Sequence, residues 1–186
     1  MRVAVLALQG DFAEHIQIFR QLNVEAFEAR TEADLEAADA LVIPGGESTT
    51  ILKLLSQFEL KDSMKKRIED GLPVFGTCAG AIVLAKETTD GEEPLGVLPV
   101  KVNRNAYGRQ IDSFETTLDI AGIGEDVKVA FIRAPIMCDL GPGVEVLGRY
   151  ESDPVIVRSG NILASTFHAE IVGETRVHRW FMQEVC

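Results

Sequence analysis

The chain has 186 residues, 46% of them apolar and 25% charged, the balance of an ordinary globular domain with room for a sizeable core. A formal net charge of −11 weighs against nucleic acid or anionic membrane as the main partner, and one Trp and two Tyr offer little stacking surface for bases or sugars. Three widely spaced cysteines, at 78, 138 and 186, give neither a disulfide framework nor metal-ligand spacing, which points to a reducing compartment, the cytoplasm, and to no metal.

Residues 3–8 form a continuous apolar run closed by Gln9-Gly10, the pattern of a strand buried on both faces of a parallel sheet. The run is only a strand long and meets Asp11 and Glu14, so it reads neither as a membrane span nor as a signal peptide. Asp11 stands where a helix N-cap belongs, and Phe12, Ile16 and Phe19 predict an amphipathic helix behind it. Residues 24–29 read as a second strand, 31–37 as a short helix capped by Thr31, and 40–43 as a third buried strand stopped by Pro44-Gly45-Gly46. Ile51, Leu54, Leu55 and Phe58 mark another helix, and Met64 with Ile68 the next. Residues 73–76 form a short buried strand that leads into Cys78 and the apolar stretch 79–85. Strand and helix alternate throughout this half, the order of a parallel α/β sheet with helices on both faces.

The second half changes character. Strand candidates at 95–102, 111–118, 127–132, 144–147, 154–158 and 161–165 are separated by Gly, Asp and Pro turns. A helix returns only at 175–185, where Val177, Trp180 and Phe181 share a face. The expectation is a mixed, mostly parallel sheet with antiparallel additions. With no repeat, linker or low-complexity stretch, residues 1–186 read as one domain.

Three motifs carry chemistry. A buried strand, then Gly76-Thr77-Cys78-Ala79-Gly80, then an apolar helix describes a nucleophile elbow, in which the glycines relieve crowding where the chain reverses. The thiol stands at a helix N-terminus, whose partial positive charge favours thiolate; the plainer reading is a small buried hydrophobe. A cysteine nucleophile needs a base and a group that orients it. His15 and His178 fall on helices at positions expected to be solvated, whereas His168 follows a strand and has Glu170 two residues on. On an extended segment those two side chains share a side, so Glu170 can hold the imidazole nitrogen remote from the thiol. The third motif, Pro44-Gly45-Gly46-Glu47-Ser48-Thr49, again joins a strand to a helix. It reads as a turn with Ser48 as helix cap, or as an oxyanion hole built from backbone N–H groups. It lacks the Lys of a phosphate-binding P-loop.

Together these segments resemble the class I, triad-type glutamine amidotransferases, and within them the glutaminase subunits of pyridoxal 5′-phosphate synthases. The narrower likeness rests on the runs at 6–15, 104–110 (Arg-Asn-Ala-Tyr-Gly-Arg-Gln), 112–115 and 131–135 and spans nearly the whole chain. The resemblance implies a flavodoxin-like three-layer α/β domain that hydrolyses L-glutamine to glutamate and ammonia and needs no cofactor. It implies Cys78, His168 and Glu170 as catalytic residues. Glutamine would be bound by Gly46, Glu47, Ser48, Arg104, Ile132 and Arg133, with Gly45, Gly46 and Ala79 forming the oxyanion hole. The partner it implies is a (β/α)₈-barrel synthase, a dodecameric core carrying up to twelve glutaminases, which uses the ammonia with ribose 5-phosphate and glyceraldehyde 3-phosphate. Arg104 and Arg133 also suit plain surface ion pairing in an acidic protein. One departure is visible: Ala169 stands where the family usually has Pro, which leaves the segment holding His168 less stiff. Rival readings are the glutaminase of another pathway, such as that serving imidazole glycerol phosphate formation, a Cys peptidase or chaperone-like protein on a related fold, and a non-catalytic binding module.

Overall fold

A computed structural model describes residues 1–104 and 113–186. The first half runs β1 (Arg2–Leu6), α1 (Phe12–Gln21), β2 (Glu25–Ala29), α2 (Glu32–Glu36), β3 (Ala40–Ile43), α3 (Ser48–Gln57), α4 (Lys61–Glu69), β4 (Val74–Thr77) and α5 (Ala79–Leu84). The second half runs β5 (Ala85–Thr88), β6 (Leu98–Asn103), β7 (Phe114–Ile120), β8 (Gly124–Phe131), β9 (Ile136–Cys138), β10 (Glu145–Tyr150), β11 (Asp153–Ser159), β12 (Ile162–Ser165) and α6 (Arg176–Trp180), which passes into a π-helical turn over Phe181–Val185.

The main sheet has seven strands in the order β10-β11-β12-β4-β3-β1-β2. Pairings from β12 through β2 are parallel, and β11 and β10 add an antiparallel edge. The mixed, mostly parallel α/β sheet expected from the sequence is therefore observed. Strand alternation sorts its side chains to two faces. Ala4, Leu6, Leu41 and Ile43 enter one core with Ile51, Leu55, Met64 and Val83 from α3, α4 and α5. Val3, Val5, Ala40 and Val42 enter the other with Phe19 of α1, Phe75, Phe167, Val177 and Phe181. Each fully buried Phe contributes about 1.5–3 kcal/mol from apolar burial, so this aromatic-rich face anchors the C-terminal helix to α1. The β7–β8 hairpin extends the second core, and the small β5-β6-β9 sheet extends the first. Among the described residues no helix is long and apolar enough to cross a membrane.

Several element boundaries differ from expectation for identifiable reasons. Strand β6 starts at Leu98 because the N–H groups of Leu95, Gly96 and Val97 instead bond to Val83, Ala85 and Leu84 carbonyls at the end of α5. β5, of which only Ala85 fell in the apolar stretch read after the elbow, and β9 are both short strands whose pairing with β6 is tertiary. One cap also moved. Glu47, not Ser48, caps α3, its carboxylate accepting from the N–H of Thr49 and Thr50, whereas Thr31 caps α2 in a full capping box as expected. Asp11 precedes α1 but makes no side-chain cap bond. Residues 105–110 of the Arg-Asn-Ala-Tyr-Gly-Arg-Gln run and residues 111 and 112 lie outside the described residues.

Candidate active site

The carboxyl ends of four adjacent parallel strands converge, the place where open α/β sheets bind ligands. Gln9 and Asp11 follow β1, Gly45 to Ser48 follow β3, Cys78 follows β4, and His168 with Glu170 follows β12. They surround a pocket of about 450 Å³, closed on its far side by Arg104 beyond β6 and by Ile132 and Arg133 beyond β8. That volume suits a small metabolite.

Cys78 sits between β4 and α5 with φ 47° and ψ −100°. A non-glycine residue in such a conformation costs about 1–3 kcal/mol and persists only where its surroundings dictate it. Its N–H is tied to the Ser165 carbonyl at 2.8 Å. The flanking glycines serve close packing. A Cβ on Gly80 would lie 2.0 Å from the Ile43 carbonyl oxygen, and one on Gly76 would lie 2.7 Å from the Gly80 carbonyl carbon. The positive φ that sequence reasoning associates with elbow glycines is thus carried by the cysteine itself. The Cys78 Sγ lies 3.9 Å from the Ile132 carbonyl oxygen, and the thiol is almost wholly buried.

His168 is pinned through its backbone: its N–H donates to Ala130 at 2.8 Å, and its carbonyl accepts from Ala130 at 3.0 Å. This bridge to β8, with Phe167 and Ala169 fully buried on either side, supplies the stiffness that Pro would give at 169. The His168 Nδ1 is 2.6 Å from Glu170 Oε1 and 2.9 Å from Asp11 Oδ2. Burial pushes the His168 imidazole down, but hydrogen bonds to Asp11, Cys78 and Glu170 outweigh it and raise it to about 12. Burial likewise pushes the Asp11 carboxyl up, and its hydrogen bond to His168 overrides this and holds it at about 2. With Nδ1 committed to carboxylates, Nε2 is the nitrogen available to Cys78.

The solvated positions expected for His15 and His178 are corrected: both are fully buried, at 0% exposure. The two rings meet each other against Phe19 and Phe75, so the position assigned to solvent on each helix is turned into the aromatic core. The His15 Nδ1 meets His178 Nε2 at 2.8 Å, and His15 Nε2 meets Thr77 Oγ1 at 3.1 Å and Glu170 Oε1 at 3.6 Å. Burial and the neighbouring His15 hold His178 well below its ordinary value, hence neutral. Among the described residues its Nδ1 has no partner, so its one hydrogen bond runs through Nε2 to His15. The other ring nitrogen of His15 faces Thr77 and Glu170, behind the carboxylate that holds His168. Ligand atoms of Asp11, His168 and Glu170, and of His15, Glu170 and His178, each lie within 4.8 Å of one another. The first group is joined by hydrogen bonds through His168; in the second, His15 bonds to His178 and stands 3.6 Å from Glu170.

Of the residues singled out from sequence, Gly45, Gly46, Glu47, Ser48, Cys78, Ala79, Arg104, Ile132, Arg133 and His168 all line the pocket, with Glu170 directly behind His168. Arg104 is engaged at the rim by Asp90 and Glu92 at 2.9 Å and by Glu47 at 3.1 Å, so surface ion pairing and pocket lining are both true of it. Gln9, Asp11 and Ile82 also line the pocket and were not singled out as site residues. For Asp11 the sequence held a signal that local reading spent on a helix cap.

An α/β sheet that brings an elbow cysteine and a carboxylate-held histidine to one pocket belongs to the class of α/β domains whose geometry allows a thiol to attack a carbonyl. The profile of the SNO glutamine amidotransferase family matches residues 5–186, and the chain belongs to that family. It is 52% identical over 184 residues to pyridoxal 5′-phosphate synthase subunit PdxT of Thermus thermophilus, covering 97% of this chain and 96% of that one. It is 46% identical over 187 residues to the PdxT of Thermotoga petrophila, with full coverage of both. A solved structure described as a glutamine amidotransferase superposes with a TM-score of 0.92 at 52% identity, covering 97% of each chain.

Proposed function

We propose that residues 1–186 act as one glutaminase domain that hydrolyses L-glutamine to L-glutamate and ammonia for pyridoxal 5′-phosphate synthesis. The observation that carries the reading is the meeting of Cys78, His168 and Glu170 at one pocket, in a chain whose full-length relatives are named as subunits of that synthase. The Cys78 thiolate adds to the side-chain carbonyl of glutamine, and the resulting oxyanion is met by backbone N–H groups of Ala79 and the Gly45–Gly46 loop. His168 gives its Nε2 proton to the nitrogen as the C–N bond breaks, releasing ammonia and leaving a γ-glutamyl thioester. The neutral His168 then takes a proton from water, whose oxygen attacks the thioester and frees glutamate and the thiol. Gly46, Glu47, Ser48, Arg104, Ile132 and Arg133 hold the amino-acid end; Arg104 offers a guanidinium to the carboxylate and Glu47 an acceptor to the ammonium.

Free ammonia is mostly protonated near neutral pH and then is no nucleophile, so direct delivery to a partner preserves it. The partner is a (β/α)₈-barrel synthase subunit, up to twelve glutaminases docking on a dodecameric core, in the cytoplasm. Ammonia release is measured with wild type and Cys78→Ala, each with and without the synthase. Loss of ammonia only in the mutant is expected. Retained hydrolysis by Cys78→Ala removes the mechanism, and ammonia delivery to a different synthase removes the pathway.

A further inference from the structure

The chemistry just described uses one carboxylate, Glu170, on His168, yet Nδ1 of that ring faces two. We propose that Asp11 is a second positioning residue: its carboxylate shares the Nδ1 proton of His168 with Glu170 and braces the ring against the Gly45–Gly46 loop. The proposal rests on the glutaminase reading for its kinetic consequence, though not for its geometry.

Both acceptors lie within hydrogen-bond distance of a nitrogen that carries a single proton, 2.6 Å for Glu170 and 2.9 Å for Asp11, which makes a three-centre bond. Glu170 reaches the ring from two residues away, whereas Asp11 comes from the opposite end of the chain. Its side chain is committed to this contact: it makes no cap bond to α1, and among the described residues its second oxygen is buried without a partner. The same residue grips the neighbouring loop, donating its backbone N–H to the Gly45 carbonyl at 3.2 Å. Two residues earlier, Gln9 Oε1 accepts from the Glu47 N–H at 2.7 Å. The β1–α1 turn thus holds both the base and the loop assigned to the oxyanion.

The groups facing His168 are Asp11 from that turn, Cys78 from the elbow, Glu170 from its own segment, and His15 of α1 behind Glu170. Arg104, Arg133 and Glu47 stand across the pocket. A second carboxylate keeps the ring an imidazolium in the resting site, so the proton that ammonia needs is in place before glutamine arrives. Once that proton has gone to ammonia, the neutral ring is free to accept one from water.

Asp11→Asn removes the charge while keeping shape and an acceptor oxygen. The chain has only three histidines, so imidazole ¹⁵N resonances follow His168 directly. These are titrated alongside the pH dependence of kcat/KM for ammonia release in the presence of the synthase. In the variant, the alkaline midpoint is expected to fall by about one pH unit or more in both, with kcat reduced more than KM is raised. Superimposable titrations in a variant that melts like wild type overturn the proposal. Should the variant not fold, Asp11→Ser takes its place in the same two titrations, a lowered alkaline midpoint upholding the proposal and one unchanged from wild type overturning it. A wild type that releases no ammonia defeats the glutaminase reading alone, because the ¹⁵N titration still tests Asp11.

Discussion

Gly45→Ala tests the geometry of the site, since it adds one methyl group and keeps the backbone N–H assigned to the oxyanion. The new Cβ would lie 2.2 Å from Cε1 of His168 and 3.0 Å from its Nδ1, where ordinary contact begins at 3.4 Å. The imidazole must therefore retreat by more than an ångström, or the loop must. The ring has no easy retreat: its backbone is bonded both ways to Ala130, and its Nδ1 bonds of 2.6 and 2.9 Å stretch beyond useful length. A misplacement of about 1 Å in a catalytic group costs on the order of 100-fold in rate. Overpacking of this kind costs about 1–3 kcal/mol in stability. For a chain of this size that is a Tm lower by roughly 2–4 °C per kcal/mol, so the variant stays folded at assay temperature. The assay is glutamine-dependent ammonia release with the synthase present, beside a thermal melt followed by circular dichroism. A folded Gly45→Ala protein with kcat within about threefold of wild type refutes the view that His168 and this loop are held in fixed contact.

Two further outcomes follow from the same contacts. In Gly80→Ala the added Cβ meets the Ile43 carbonyl oxygen at 2.0 Å, a backbone atom inside β3 that cannot swing aside. Urea unfolding is expected to show a loss at or above the upper end of the usual 1–3 kcal/mol for overpacking, and a loss below about 1 kcal/mol refutes the fit described for the elbow. The pH dependence of stability comes from the two oppositely shifted groups at the site. Asp11, held at about 2 against an ordinary 3.8, contributes fully above 3.8, and its contribution is lost as pH falls through 2. His168, raised to about 12 from an ordinary 6.5, contributes fully below 6.5 and loses that contribution progressively as pH rises toward 12. Above pH 6.5 the stability of wild type is therefore expected to fall toward that of His168→Gln, by up to about 1.4 kcal/mol per pH unit. Parallel urea midpoints for the two proteins between pH 7 and 10 contradict the assignment.

Much of this molecule follows from local pattern. The runs at 3–8 and 40–43 are apolar at every position because a parallel strand is covered on both faces, and the steps of three and four in α1 reflect one buried stripe. The elbow was readable for a similar reason: Gly76 and Gly80 are demanded by contacts that no side chain fits. The pairing of His168 with Glu170 needed only the two-residue repeat of extended backbone. These features depend on neighbours in sequence, or on whether a face is covered at all.

Tertiary structure decided what depends on which covered faces meet. His15 and His178 look like residues on the polar sides of two helices, and they become buried partners only because the fold brings their rings together against Phe19 and Phe75. Asp11 fits a helix N-cap equally well in sequence, yet the order of the sheet places β1 within reach of β12's loop and gives its carboxylate to His168. The choice between two local uses of one side chain was made 157 residues away, by a partner that no window of sequence contains.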